Sequence, residues 1–214
     1  MAVVVVGGHS RNIGKTAVAA GLIAALAEKS WTAIKITQHG HKICSSNGRS
    51  CKCAAHEHRY AILEDNDRSG RKDTSRFLLA GASRSLWVRV RQGQLALVMP
   101  ELQGIMESQP FVMIESNSIL NFIRPDLYLT VLRFDIEDFK ESAREMLRRS
   151  DAAVVVESGA RQPLWKRVPA EMLAGIPVYP VSAPTFISPE LISFVRSRIG
   201  EEPAVGSGQS AVLK

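Results

Sequence analysis

The chain has 214 residues, enough for one α/β domain and cramped for two. Its composition, 45% hydrophobic and 22% charged, is that of a soluble globule with a real core, and no apolar run approaches the roughly 20 residues that span a bilayer. A net charge of +6 favours anionic partners such as nucleotides and phosphates, while the scatter of the basic residues disfavours nucleic acid.

Val3 to Val6 is a continuous β-branched run, as expected of a central parallel strand buried on both faces. It breaks into glycine and lacks the basic region and cleavage site of a signal peptide, which predicts a cytoplasmic setting. A helix is predicted from Lys15 to about Lys29, and a second strand over Thr32 to Ile36. Residues 38–73 are polar and read as an inserted loop, long enough to be functional rather than a simple connection. Further strands are predicted at Phe111 to Ile114, ending on Glu115, and at Leu127 to Leu132. Asp135 stands where a cap would, before an amphipathic helix carrying Phe139, Ala143, Met146 and Leu147. Ala152 to Val156, ending on Glu157, and Val178 to Val181 complete the strands, and Ser188 to Ile199 reads as a closing helix. Residues 1–200 then form one domain and 201–214 a flexible tail. Alternating strands and helices predict a three-layer α/β fold around a mostly parallel sheet.

The stretch Gly7-Gly8-His9-Ser10-Arg11-Asn12-Ile13-Gly14-Lys15-Thr16 follows a buried strand and opens a helix, the setting a Walker A phosphate loop requires. Glycines let successive backbone N–H groups turn inward, and the helix N-terminus adds its positive end. Candidate nucleotide contacts are therefore Gly8, His9, Ser10, Arg11, Asn12, Ile13, Gly14, Lys15, Thr16 and Ala17. Lys15 is placed to reach the terminal phosphates and Thr16 to sit on Mg²⁺. The consensus puts a glycine six positions before the lysine, where this chain has His9. Either the loop is one residue longer, from Gly8, or His9 fills a glycine position. The acidic partner for Mg²⁺ is expected at the carboxyl end of a neighbouring strand, with Glu115 first and Glu157 second.

The phosphate loop, Ala33-Ile-Lys-Ile-Thr-Gln-His-Gly-His41, Gly70-Arg-Lys-Asp-Thr-Ser-Arg76, Ala80-Gly-Ala82 and the strand ending at Glu115 occur in one order over about the first 120 residues. That order resembles the MobB family, the molybdopterin-guanine dinucleotide biosynthesis protein B group of P-loop GTPases. The resemblance implies a Mg²⁺-dependent site, usually for GTP, in a protein that tends to dimerise and assists nucleotide attachment to molybdopterin. It implies that Asp73 and Arg76 face the phosphates or Mg²⁺, with Lys35 and His39 nearby. The chain departs from that pattern in a Cys-rich insertion between Lys42 and Arg68, and in Ser-Asn-Ser after Glu115. It also lacks a clear Asn-Lys-x-Asp guanine-reading motif, so ATP stays beside GTP.

Of three cysteines and five histidines, all but His9 lie between His39 and His58. Thiolate and imidazole suit Zn²⁺, and Cys44, Cys51 and Cys53 with His58, or His56 in its place, supply the four ligands of a structural site. An iron–sulfur cluster would usually want a fourth thiolate, and reduced, unligated thiols are the alternative. Trp31, Trp87 and Trp165 read as packing residues.

Three activities fit this sequence. The first is a slow Mg²⁺-dependent NTPase, with Lys15, Asp73 and Glu115 as catalytic residues and a molybdenum cofactor enzyme or other target protein as partner. The second is a P-loop small-molecule kinase in which Asp73 orients the acceptor. The third is a nucleotide-switched metallochaperone or regulatory metal-binding protein.

Overall fold

The computed structural model describes residues 1–40, 59–166, 168 and 170–200. The proposed zinc ligands Cys44, Cys51, Cys53 and His58, their alternate His56, and the predicted 201–214 tail lie outside these residues.

Eight strands form one sheet: β1 (Ala2–Gly8), β2 (Thr32–His39), β3 (Tyr60–Glu64), β4 (Arg84–Arg91), β5 (Phe111–Glu115), β6 (Leu127–Arg133), β7 (Ala152–Val156) and β8 (Val178–Val181). Their spatial order is β3-β4-β2-β5-β1-β6-β7-β8. All neighbours run parallel except β3, which pairs antiparallel with β4. Five α-helices are described: α1 (Lys15–Ala25), α2 (Asp73–Leu79), α3 (Met99–Glu107), α4 (Glu141–Leu147) and α5 (Pro189–Ile199). The predicted mostly parallel α/β sheet is present.

β1 lies at the centre and shows why a run of valines suits it. Side chains alternate between faces, so Val4 and Val6 enter one core while Val3 and Val5 enter the other. The first core packs α1, α2 and α5 on one face, through Leu22, Phe77 and Val195 among others. The second packs α3 on the opposite face, through Met99, Leu102 and Met106. Helices on both faces make three layers. Val18, Leu22 and Ile23 of α1 are fully buried, each contributing about 1.5–3 kcal/mol. They hold the loop that precedes α1 against the sheet.

Several boundaries differ from the sequence reading. The stretch 38–73 is not wholly a loop: β2 runs on to His39, and β3 occupies Tyr60–Glu64. β4 and α3 were missed, although Leu86, Val88 and Val90 alternate with polar residues and Met99, Leu102 and Met106 recur at helical spacing. Asp135 caps no helix. It pairs with Arg133 at 2.8 Å, and α4 starts later, with Lys140 at its cap and Phe139 outside it. The predicted closing helix begins where expected, because the Ser188 hydroxyl accepts from the Leu191 N–H. Among the described residues no helix is long and apolar enough to cross a membrane.

Candidate functional site

β1 ends at Gly8, and the chain turns through six residues before α1 begins at Lys15. Two positions admit only glycine. A Cβ on Gly8 would stand 2.7 Å from the Val131 carbonyl oxygen and 2.8 Å from Ile13 Cδ1. Gly14, at the cap of α1, has φ +101°, a conformation that L side chains rarely adopt. Asn12 also has positive φ, at 55°, tolerable for an asparagine. Alternation between left- and right-handed backbone aims successive N–H groups at one point, and the first turn of α1 adds donors with no partner inside the helix. The positive φ of Asn12 and Gly14 is the backbone pattern expected of an anion nest.

At the position where the consensus has glycine, the His9 side chain turns away into the fold. Its ring is fully buried, stacked on Phe139 at 5.0 Å and tilted against Trp165 at 5.3 Å. The Arg133 N–H donates to Nε2 at 3.1 Å, so Nδ1 carries the proton and donates to the Asp138 carbonyl at 2.7 Å. Burial lowers the His9 pKa and keeps the ring neutral. Its backbone is engaged too: the N–H pairs with Val131 and the carbonyl with Lys140. His9 thus locks the loop to the β6–α4 connection. The Ser10 hydroxyl reinforces that lock through the Asp138 carboxylate at 2.5 Å. His9→Leu would strand the Arg133 N–H and the Asp138 carbonyl, and should cost about 1–3 kcal/mol in chemical denaturation.

Lys15 donates back to the Ser10 carbonyl at 2.5 Å. Burial pulls its pKa down to about 8, with Glu115 opposing and Lys140 and Lys35 reinforcing the fall. Lys140 is itself lowered, by burial and then by Arg11. Cations therefore gather around the loop, and Lys140 was not foreseen from sequence.

Beside the loop lies a polar cluster built from four elements. The Thr16 hydroxyl donates to Glu115 at 2.7 Å. Glu115, 5% exposed at the end of β5, also accepts from Lys35 of β2 at 2.9 Å. Lys35 reaches Asp73, the first residue of α2, at 2.7 Å. Burial alone would lower the Lys35 pKa, but Glu115 and then Asp73 outweigh it and hold the ammonium above the ordinary lysine value. Hard oxygen donors at a helix start suit Mg²⁺. Of the two acids considered, Glu115 reaches Thr16, whereas Glu157 is exposed after β7, two strands from β1. Arg76 sits in the last turn of α2, half-buried. His39 lies four residues beyond Lys35 on the same strand and is buried.

Asn117 is the other residue that sequence reasoning missed. Its Oδ1 accepts from the Gly8 N–H at 2.8 Å and its Nδ2 donates to the Gly8 carbonyl at 2.9 Å. Those two bonds tie the segment after Glu115 to the end of β1. The departure from a Gly-rich turn was visible, and it marked this residue. A surface hollow of about 360 Å³, lined in part by Arg124, Tyr128, Arg149 and Asp151, lies instead at the amino-terminal ends of β6 and β7.

No family model matches the sequence, and no curated protein matches it. Among solved structures, the chain is similar to HypB from Helicobacter pylori in complex with nickel, at 13% identity and TM-score 0.45, covering 90% of this chain and 82% of that one. It is also similar to an "apo" form of LpxK from Aquifex aeolicus in complex with ATP, at 16% identity and TM-score 0.48. That match covers 84% of this chain but 53% of the other, so the chain spans about half its length. Likeness at this level does not bear on what this chain binds.

Proposed function

We propose that the chain is a P-loop protein that binds a nucleoside triphosphate with Mg²⁺ and cleaves or transfers its terminal phosphoryl group. The observation that carries this reading is the Thr16–Glu115 hydrogen bond, 2.7 Å long, at the mouth of an anion nest that also holds Lys15. The nest and Lys15 would hold the phosphates, while Thr16 and Glu115 would hold Mg²⁺. The metal supplies charge neutralisation when bound. Lys35 bridges Glu115 at 2.9 Å and Asp73 at 2.7 Å and fixes their directions. Asp73, 43% exposed and anchored through Oδ2 to Lys35, orients the attacking hydroxyl and receives its proton. With the metal side toward β5, the nucleoside leaves toward β7 and β8, where Val156 and Phe186 approach Gly14.

The finer reading follows the motif order: a MobB-like step in molybdenum cofactor nucleotide attachment, GTP favoured over ATP, in a homodimer, with Zn²⁺ on the Cys/His segment. Calorimetric titration with ATP and GTP, with and without Mg²⁺, tests the nucleotide reading. Metal analysis of the purified protein tests zinc. No binding of either nucleotide would sink the main proposal.

The depressed Lys15 pKa gives the titration a pH signature. In the free protein the ammonium is complete below about 8 and is lost above it. Bound phosphate favours the charged form and raises that pKa. Affinity should therefore be flat below about pH 8 and fall as pH rises through it, with proton uptake on binding. Titrations in buffers of different ionisation enthalpy read that uptake directly.

A further inference from the structure

The hollow of about 360 Å³ at the amino-terminal ends of β6 and β7 is built by three stretches of chain. Leu120, Arg124 and Pro125 come from the connection between β5 and β6, and Tyr128 from the start of β6. Arg149 and Asp151 come from the connection between α4 and β7. The backbone of Tyr128 lies three residues, or about 10 Å, back along β6 from Val131, which pairs with Gly8 at the start of the phosphate loop. The hollow is therefore separate from that loop. Its volume falls in the range of small-molecule sites, about 300–1,000 Å³.

The charges around it are unevenly matched. Asp151 is already committed, since Oδ2 accepts from the Tyr128 N–H at 2.8 Å and Oδ1 from Arg198 at 2.9 Å. Neither Arg124 nor Arg149 forms an ion pair among the described residues. Two guanidiniums thus line one concave surface with no carboxylate assigned to them.

Arg149 is exposed but held in one orientation. Its Nη1 donates to the Leu120 carbonyl at 2.7 Å and lies 3.2 Å from Met146 Sδ. Those contacts use one nitrogen, and Nε and Nη2 bond no other described residue. A guanidinium anchored in this way presents planar donors to an oxyanion with less ordering left to do. Leu120 and Pro125 add carbon surface to the same hollow. A water takes about 30 Å³ in the liquid, so the space suits an anion that carries an organic body. Two unbalanced positive charges match a dianion. A phosphate ester carries about −1.5 to −2 near neutral pH, whereas a single carboxylate carries one charge.

We propose that this hollow binds a small organic phosphate ester, with Arg124 and Arg149 on the phosphate and Leu120 and Pro125 against its carbon body. The site does not depend on the nucleotide reading, because it shares no residue with the phosphate loop or the Thr16–Glu115 cluster.

The test is a calorimetric titration of phenyl phosphate, with inorganic phosphate and benzoate in parallel arms. One host is Lys15→Ala, whose phosphate loop has lost its ammonium; the other is the wild type saturated with Mg²⁺ and a non-hydrolysable triphosphate. The expected result is one phenyl phosphate per chain in both hosts, held more tightly than inorganic phosphate or benzoate. Arg124 is exposed and has no partner to lose, so Arg124→Ser should weaken phenyl phosphate by about tenfold or more without moving the thermal melt. Arg149→Lys keeps the charge but loses the fork, and should weaken it too. Arg148→Ser removes the same charge from an exposed neighbour outside the hollow and should leave the affinity unchanged. No binding of phenyl phosphate, tighter binding of benzoate or inorganic phosphate, unchanged affinity in Arg124→Ser, or an equal loss in Arg148→Ser would overturn the proposal. Failure of the wild type to take up the triphosphate would sink only the earlier reading, since the Lys15→Ala arm needs no nucleotide.

Discussion

Lys15→Ala is expected to weaken nucleoside triphosphate binding by about 10- to 100-fold without unfolding the protein. A hydrogen bond to a charged group contributes about 1.5–3 kcal/mol, and each 1.4 kcal/mol is a tenfold change in affinity. Lys15 is the cation at the helix start, and the ammonium is kept half-buried against its own desolvation, with a pKa of about 8. A lysine held at that cost gains most when an anion arrives. Among the described residues its ammonium donates to the Ser10 carbonyl. Alanine leaves that oxygen to water and suits the first turn of a helix. Thermal melting should therefore move little while the calorimetric Kd rises. An unchanged Kd would remove the phosphate loop from the account.

Glu115→Gln is expected to lower Mg²⁺-dependent phosphate release by about 100-fold or more, the range seen when one preorganised electrostatic group is removed from a site. The change is isosteric but removes a charge that is 5% exposed and contacts both Thr16 and Lys35. Affinity for nucleotide without metal should be little altered, while the enhancement by Mg²⁺ should disappear. That split separates a metal role from mere structural damage, which would weaken both. Glu157→Gln is the control. An equal loss there would show that the neighbouring-strand assignment is mistaken.

The glycine-rich turn before α1 and the central strands were legible because their physics is local. Val3 to Val6 carries a burial signal that needs no partner to interpret, and Gly14-Lys15-Thr16 at a strand-to-helix turn has few other uses. Glu115 was legible for the same reason, as an acid ending a buried run. β4 was missed because Arg89 and Arg91 make it read as a surface segment, though its alternation with Leu86, Val88 and Val90 was present. Asp135 misled because a cap residue and half of an ion pair look alike until Arg133 is placed beside it. The packing of the His9 ring on Phe139 and Trp165 was not legible, since its position in the motif pointed to phosphate alone.

The sequence by itself determined a mostly parallel α/β chain, a glycine-rich turn between its first strand and first helix, and an acid closing a buried strand at Glu115. These follow from periodicity, glycine geometry and helix termini, which act over a few residues. Only the tertiary structure decided that Lys35, Asp73, Glu115 and Thr16 form one cluster, that Asn117 holds Gly8, and that Arg124 and Arg149 line one hollow. Those contacts join residues as many as 109 positions apart. Strand order sets them, and strand order is fixed by how two cores close over the sheet rather than by any local pattern.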